Sequence, residues 1–217
     1  MEGFEKGDRE MIKNIIFDWS GTISDDFKPV YEAIMIVMEK MISKNISKEE
    51  FRKEFELPPL KFWQKYIPNI DLDEEHKLFL DAIHKVDPPT IYPTIKEVLE
   101  NLKSKELKLF VISSHPHEKL MIEAVGYGIT DLFDEIRGGI YDKVKSIEDI
   151  TTKNKLTKNE TAYVGDMIYD IEAGKEVGVK TVAVTYGYQD KDKLATMNPD
   201  YIVSSPEKLI NIINNNI

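Results

Sequence analysis

The feature that most constrains this chain is a series of short apolar segments, each ending at or just before a polar residue or a glycine. These segments are residues 13–19, 108–112, 161–164, 181–184 and 201–203. Amphipathic stretches of roughly ten residues separate the later segments and predict helices over 94–105, 118–125, 143–154 and 168–177, two of them ended by Gly126 and Gly178. Strands that alternate with helices form a parallel sheet with both faces covered. The sequence therefore predicts an α/β fold whose ligands bind at the carboxyl ends of the strands.

The stretch between the first two predicted strands contains helical patterns and no strand pattern. Helices are predicted over 30–41, 48–55, 60–66 and 73–86, with two prolines between the second and the third. Residues 87–90 carry two more prolines and predict a linker back to the sheet. A helical block of roughly 60 residues is too long for a crossover and indicates an inserted cap. We expect a core domain of residues 1–26 and 88–217 and a helical cap domain of residues 27–87.

Composition excludes several classes of function. The chain has 29 Lys and Arg against 39 Asp and Glu and a net charge of −10, so neither nucleic acid nor an anionic membrane is an expected partner. Without a cysteine it has no disulfide, thiolate nucleophile or cysteine-bound metal, and we expect a cytoplasmic protein. The apolar runs are shorter than a membrane span, and the charged first ten residues do not resemble a signal peptide.

Polar residues gather where three of the predicted strands end. Asp18 and Ser113 follow the first two segments, Asp166 follows the third, and Asp170 lies one helical turn later. Ser113 alone is equally consistent with an ordinary helix cap. Carboxylates at one sheet edge, however, repel one another and are costly to bury without a cation. Hard oxygen ligands of this kind suit a Mg²⁺ ion that is shared with a phosphate.

Two lysines and three short motifs complete the pattern. Lys143 and Lys145 both open a predicted helix, where either would offset the carboxylates. Together with Asp-Trp-Ser-Gly-Thr at 18–22, Ser113 and Gly-Asp-Met-Ile-Tyr-Asp at 165–170, this order of motifs resembles the haloacid dehalogenase-like hydrolase superfamily. The resemblance implies a Rossmann-like parallel core with an inserted helical cap, Mg²⁺ as cofactor, and hydrolysis of small phosphorylated metabolites through an aspartyl-phosphate. Lys143 fits the spacing of the family better than Lys145.

The same resemblance implies a set of metal ligands. Asp18 would be both the nucleophile and a ligand of Mg²⁺. Asp166 and the backbone carbonyl of Ser20 would be further ligands. Asp170 would be a ligand or a partner of one.

Substrate and charge contacts are implied in the same way. Lys143 would be catalytic by holding the charge of Asp18 and of the phosphate, and Ser113 would bind phosphoryl oxygens. We also expect Ser114, Trp19 and the cap residue Lys61 to bind substrate.

Ser20 departs from the family pattern. Phosphatases of the superfamily carry an aspartate here that protonates the leaving group and then activates water, and such help is worth about 10²–10⁴-fold. A serine hydroxyl does not do this near neutral pH. Two alternatives stay open: a C–P or C–halogen hydrolase, since phosphonoacetaldehyde hydrolase has a similar motif, or a weakly active protein that binds a phosphorylated metabolite. The C–P reaction needs a cap lysine, for which Lys53, Lys61 and Lys65 are candidates, although solvated surface lysines are the commoner interpretation.

The segment 57–66 is the part of the cap that we expect to face the substrate. Its prolines stiffen a loop, and Trp63 would give shape to a pocket. The alternative interpretation, which we favour, is that Phe62, Trp63 and Tyr66 pack the interior of the cap.

Four residues close to the motifs have other candidate roles. His115 and His117 follow Ser113 and suit substrate contacts, a substitute acid, or simply the start of a helix. Asp25 and Asp26 follow the first motif and are interpreted only as caps of the next helix.

Overall fold

The computed structural model describes residues 11–214, so the prediction about the first ten residues lies outside the described part. Eight strands and ten α-helices follow in the order β1 (Asn14–Phe17), β2 (Ser24–Asp25), α1 (Phe27–Ile42), α2 (Lys48–Glu54), α3 (Leu60–Tyr66), α4 (Leu72–Ile83), β3 (Thr90–Ile91), α5 (Ile95–Ser104), β4 (Lys108–Ile112), α6 (His117–Tyr127), β5 (Glu135–Arg137), α7 (Lys143–Lys153), β6 (Thr161–Gly165), α8 (Ile168–Val177), β7 (Lys180–Val184), α9 (Lys191–Ala195), β8 (Tyr201–Val203) and α10 (Glu207–Asn214).

Six strands form one parallel sheet in the order β5-β4-β1-β6-β7-β8, which confirms the predicted α/β fold. The central strand β1 pairs with β4 on one side and with β6 on the other, and Phe17 lies opposite both Val111 and Val164. This register brings Asp18 to the same edge as the residues that follow β4 and β6. Strands β4 and β5 lie on one side of β1, and strands β6 to β8 lie on the other. The strand order therefore reverses at β1, and such a reversal opens a crevice for ligands at the carboxyl ends of the strands.

The two faces of the sheet pack against different helices. Side chains alternate along β1, so Ile15 and Phe17 join the apolar cluster that includes residues of α5 and α6, while Ile16 joins the cluster with residues of α7 and α8. Burial on both faces explains why the central strands are continuous apolar runs.

The helices α1 to α4 pack around an apolar cluster of their own, and we call residues 27–87 the cap. Phe62 and Trp63 are both 1% exposed inside this cluster, which confirms that they pack the cap interior. Two residues from outside the cap, Met167 and Tyr188, belong to the same cluster. The cap therefore packs directly on the loops that follow β6 and β7.

Some elements differ from their predicted form. Helix α6 continues through Gly126 and ends at Gly128, because Gly128 has the left-handed φ of 64° that ends a helix. The short pair β2 and β3, which joins the cap to the sheet, was not predicted, and neither were β5, α9 and α10. Among residues 11–214, no helix combines the length and the apolar character needed to cross a membrane.

Candidate active site

Three buried carboxylates meet at the edge of the sheet where β1 and β6 end. Asp18 directly follows β1, Asp166 directly follows β6, and Asp170 lies in the first turn of α8. One oxygen of each lies within 4.8 Å of one oxygen of the other two. The parallel register and the helix spacing of four residues therefore bring together the aspartates that the sequence predicted to converge.

Lys143 is the cation at this cluster. It is the first residue of α7 and is 1% exposed, and its Nζ lies 3.0 Å from Asp18 Oδ1 and 2.5 Å from Asp170 Oδ1. Although burial lowers the pKa of Lys143, Asp170 and Asp18 raise it well above the ordinary value, so the ammonium stays charged. Lys145 is exposed at the surface. The structure thus brings Lys143, the lysine preferred on spacing, to the carboxylates.

Asp170 already has partners for both of its oxygens. Oδ1 accepts hydrogen bonds from Lys143 Nζ and, at 3.1 Å, from Tyr163 Oη, while Oδ2 accepts from the backbone N of Met167 at 3.0 Å. These contacts hold the lysine in place beside Asp18. They favour the role of a partner over that of a metal ligand, and direct ligation by Asp170 stays a prediction.

Asp166 differs because one of its oxygens has no partner. Oδ2 accepts a hydrogen bond from the backbone N of Tyr188 at 2.6 Å, whereas Oδ1 is buried without a hydrogen bond among the described residues. The loops pass so close that a Cβ on Gly21 or Gly187 would lie 2.1 or 2.4 Å from Oδ2. The Asp166 carboxylate is therefore fixed in orientation and leaves an acceptor oxygen that a cation would satisfy.

The electrostatics of the cluster also call for a cation. Burial raises the pKa of Asp18 to about 7, against the opposing charge of Lys143. Burial, followed by the charges of Asp18 and Asp170, raises the pKa of Asp166 well above its ordinary value. One lysine does not balance three buried carboxylates, and oxygen donors of this kind suit a hard ion such as Mg²⁺. The residues present fit the predicted metal.

Ser113 lies at the same edge of the sheet, directly after β4, the neighbour of β1. Its side chain is buried, and its Oγ accepts a hydrogen bond from the backbone N of His115 at 3.1 Å. Because that bond uses a lone pair, the hydroxyl proton is left to donate to a ligand oxygen. Ser114 is half-buried beside it. Phosphoryl binding by both serines stays a prediction.

A fourth carboxylate, Asp26, lies beside Ser20. Asp26 occupies the position before α1, but its side chain does not cap that helix; Oδ1 instead accepts from the backbone N of Gly21 at 3.1 Å. Burial raises the pKa of Asp26 to about 6, and Ser20 opposes this rise. The sequence assigns no chemistry to Asp26, because only the fold brings it back to the first motif.

The structure does not bring the side chain of Trp19 to the carboxylates. The indole is fully buried, stacks on Tyr127 at 5.8 Å between ring centroids, and donates from Nε1 to Glu123 Oε2 at 2.7 Å. Glu123 also contacts His115, with 3.2 Å between Glu123 Oε1 and His115 Nε2. These contacts argue against the indole as a substrate contact and place His115 against a glutamate.

The three candidate lysines of the cap, Lys53, Lys61 and Lys65, form no contact with the buried carboxylates among the described residues. Lys53 and Lys61 are exposed, and Lys65 pairs with Glu54 of the cap itself. Substrate binding by Lys61 stays a prediction. Nothing in their surroundings marks one of these lysines as a buried nucleophile.

Comparison with known proteins agrees with this geometry. Residues 15–184 match the family model described as haloacid dehalogenase-like hydrolase. The chain belongs to this family of hydrolases, which confirms the resemblance seen in its motifs.

Individual relatives match at low identity. A phosphoglycolate phosphatase from Synechococcus elongatus is 27% identical over 125 residues, which cover 57% of this chain and only 59% of that protein. A putative pyrophosphatase from Clostridium perfringens is 26% identical over 223 residues, covering 94% of this chain and 98% of the relative. A haloacid dehalogenase-like family protein from Streptococcus pneumoniae has the same fold, with a TM-score of 0.79 at 22% identity over 92% of this chain and 97% of the other.

Proposed function

We propose that this hydrolase is a Mg²⁺-dependent phosphatase of small phosphorylated metabolites in the cytosol and that Asp18 forms an aspartyl-phosphate. The observation that carries the proposal is the buried cluster of Asp18, Asp166 and Asp170, two of which contact Lys143. The names of the relatives, a phosphoglycolate phosphatase and a putative pyrophosphatase, support phosphate compounds as substrates.

The metal would be held by the carboxylates of Asp18 and Asp166 and by the Ser20 carbonyl. When bound, Mg²⁺ supplies positive charge that keeps Asp18 ionised and offsets the charge of the phosphoryl oxygens. Asp170 contributes indirectly, because it holds Lys143 within 3.0 Å of Asp18. The lysine and the Ser113 hydroxyl would then bind the oxygens that surround phosphorus.

In the first step, a carboxylate oxygen of Asp18 attacks phosphorus. The bond from phosphorus to the leaving oxygen breaks, and its electron pair leaves with that oxygen. In the second step, the oxygen of water attacks phosphorus, and the bond between phosphorus and the Asp18 oxygen breaks with its electron pair returning to the carboxylate. The protons of water leave with inorganic phosphate or to solvent. Lys143 stays charged throughout and lowers the activation free energy of both steps, because its ammonium stabilises the negative charge on the phosphoryl oxygens.

The C–P alternative gains no support from the described residues. A C–P hydrolase of the expected type needs a lysine that condenses with an aldehyde, and the candidate lysines of the cap lie at its surface or pair with glutamate. Serine at position 20 therefore favours a substrate with a good leaving group, such as a phosphoanhydride or an aryl or acyl phosphate, over C–P cleavage.

The test is phosphate release from a panel of phosphorylated metabolites with and without Mg²⁺, run side by side with Asp18→Asn. We expect release that needs both the metal and Asp18. Acid-quenched protein should carry a phosphoryl group on the peptide that contains Asp18. Metal-independent release, or release retained in Asp18→Asn, would contradict the proposal.

A further inference from the structure

A side chain of helix α2 in the cap binds the backbone of the loop that follows β7. Arg52, in α2, donates from one guanidinium nitrogen to the backbone carbonyl of Gly187 and, at 3.1 Å, to that of Tyr188. The same guanidinium lies 3.8 Å from the centroid of the Phe27 ring at the start of α1. Since a guanidinium offers several donors in a fixed plane, it can hold two neighbouring carbonyls while its face rests on an aromatic ring.

The loop that Arg52 holds is the one that orients Asp166. The backbone N of Tyr188 donates to Asp166 Oδ2 at 2.6 Å. Gly187 packs so closely that a Cβ there would lie 2.3 Å from the Gly21 carbonyl oxygen and 2.4 Å from Asp166 Oδ2. A movement of this loop would therefore change the position of the Asp166 carboxylate.

Two further contacts tie the same loop to the cap. The Tyr188 ring lies 5.3 Å from the Phe27 ring and 5.7 Å from the Phe55 ring. Gln189 donates to the Phe55 carbonyl at 3.3 Å and accepts from the backbone N of Ile168 at 2.7 Å. Ile168 follows Asp166 by two residues. The cap is therefore linked through Gln189 to the backbone just after Asp166, and through Tyr188 to the amide that donates to Asp166.

We propose that Arg52 is a positioning residue for Asp166 and couples the contact between the cap and this loop to metal binding. This inference rests on the proposed function, because it takes Asp166 as a ligand of Mg²⁺. Arg52 acts through the Gly187 and Tyr188 carbonyls, which fix the Tyr188 amide against Asp166. Linkage is reciprocal, so the metal must favour the contact between Arg52 and the loop by the same factor by which that contact favours the metal.

The direction in which Mg²⁺ affinity changes when Arg52 is replaced distinguishes positioning from charge repulsion. A positive side chain near a Mg²⁺ site repels the ion, so removal of the Arg52 charge would tighten binding if charge alone mattered. Loss of the positioning contacts has the opposite effect, because Asp166 is then less well oriented. Coupling between sites of this kind is typically worth about 5- to 150-fold, and we expect weakening at the lower end of that range.

The experiment is calorimetric titration of metal-free protein with MgCl₂, without substrate. Arg52→Met keeps an unbranched side chain over Phe27 and removes the donors, whereas Arg52→Lys keeps a cation and one set of donors. The matched control is Lys48→Met, in the same helix but on the exposed surface. We expect Mg²⁺ affinity to fall by about fivefold or more in Arg52→Met, to be partly restored in Arg52→Lys, and to be unchanged in the control.

Two more measurements show the coupling in the other direction. Mg²⁺ should slow hydrogen exchange of the α2 amides in the wild type and not in Arg52→Met. In turnover assays, the Mg²⁺ concentration for half-maximal rate should rise in Arg52→Met, while kcat at saturating Mg²⁺ stays near the wild-type value.

The outcomes distinguish this inference from the proposed function. If the wild type does not bind Mg²⁺, the proposed function fails, and the role of Arg52 fails with it. If the wild type binds and Arg52→Met binds equally well or more tightly, only the role of Arg52 is refuted. A lower melting temperature with unchanged Mg²⁺ affinity would likewise show that Arg52 is just a packing contact. If Arg52→Met does not fold, Arg52→Lys gives the comparison, with a smaller expected loss of Mg²⁺ affinity; wild-type affinity in Arg52→Lys would then refute the need for the guanidinium.

Discussion

Replacing Asp26 by asparagine should stabilise the protein at neutral pH. The Asp26 carboxyl is 6% exposed, and burial raises its pKa from 3.8 to about 6, with Glu123 adding to the rise and Ser20 opposing it. A group with a raised pKa binds its proton more tightly in the folded state. Between roughly pH 4 and pH 6 the folded protein therefore holds more protons than the unfolded chain, and stability falls as pH rises through this window.

The magnitude follows from the same values. One pKa unit corresponds to about 1.4 kcal/mol, so the ionised Asp26 carboxylate lowers the free energy of unfolding by up to about 3 kcal/mol above pH 6. Asparagine does not ionise, and its amide oxygen can still accept from the Gly21 amide. We expect Asp26→Asn to be up to about 3 kcal/mol more stable than the wild type at pH 7.5, and no more stable at pH 4.

The assay is urea unfolding of both proteins at several pH values from 4 to 7.5, in EDTA so that no metal contributes. Titration of Asp18 is common to both proteins and cancels in the difference. Equal dependence on urea concentration in the two proteins is the control that the unfolded states are comparable. A difference in stability that does not change with pH, or a less stable variant at pH 7.5, would refute the reasoning.

Three other substitutions test the site. Asp18→Asn should abolish turnover while raising the stability of the metal-free protein, because it removes one of the repelling carboxylates; turnover assays and urea unfolding check both. Lys143→Met leaves buried carboxylates without their cation and should lower the free energy of unfolding by about 3 kcal/mol, a loss that calorimetry should show to be smaller in saturating Mg²⁺. Ser20→Asp places a second carboxyl beside Asp26 and should reduce stability, whereas Ser20→Asp with Asp26→Ser keeps one carboxyl and one hydroxyl; only the double variant should gain turnover of alkyl phosphates over the wild type.

The strands and most helices were predictable because their patterns are strong. Runs that are apolar on both faces identify buried parallel strands, and β4 and β8 have the predicted bounds. The edge strand β5 has only three residues, Glu-Ile-Arg, which are too few for an alternating pattern to stand out and contain no apolar run. At the end of α6 two glycines lie two residues apart, and only the backbone conformation shows that Gly128 rather than Gly126 ends the helix.

The convergence of Asp18, Asp166 and Lys143 was also predictable, since residues that follow neighbouring parallel strands lie at one edge of the sheet. The contact that orients Asp166 was not, because it comes from a backbone N–H. Every residue except proline carries that group, so the identity of Tyr188 gives no sign of it. Only the path of the loop, set by its contacts with the cap, brings the amide to the carboxylate.

Ser20 shows where the transfer of a motif residue by residue reaches its limit. Judged from position 20 alone, the chain has lost a carboxyl that its family uses. In the fold, the buried Asp26 carboxylate returns to the first motif, where it accepts a hydrogen bond from the Gly21 amide. Ser20 is close enough to this carboxylate to lower its pKa against the effect of burial. Loss of function therefore does not follow from the serine alone, because the fold adds a carboxylate beside position 20 that the linear motif does not contain.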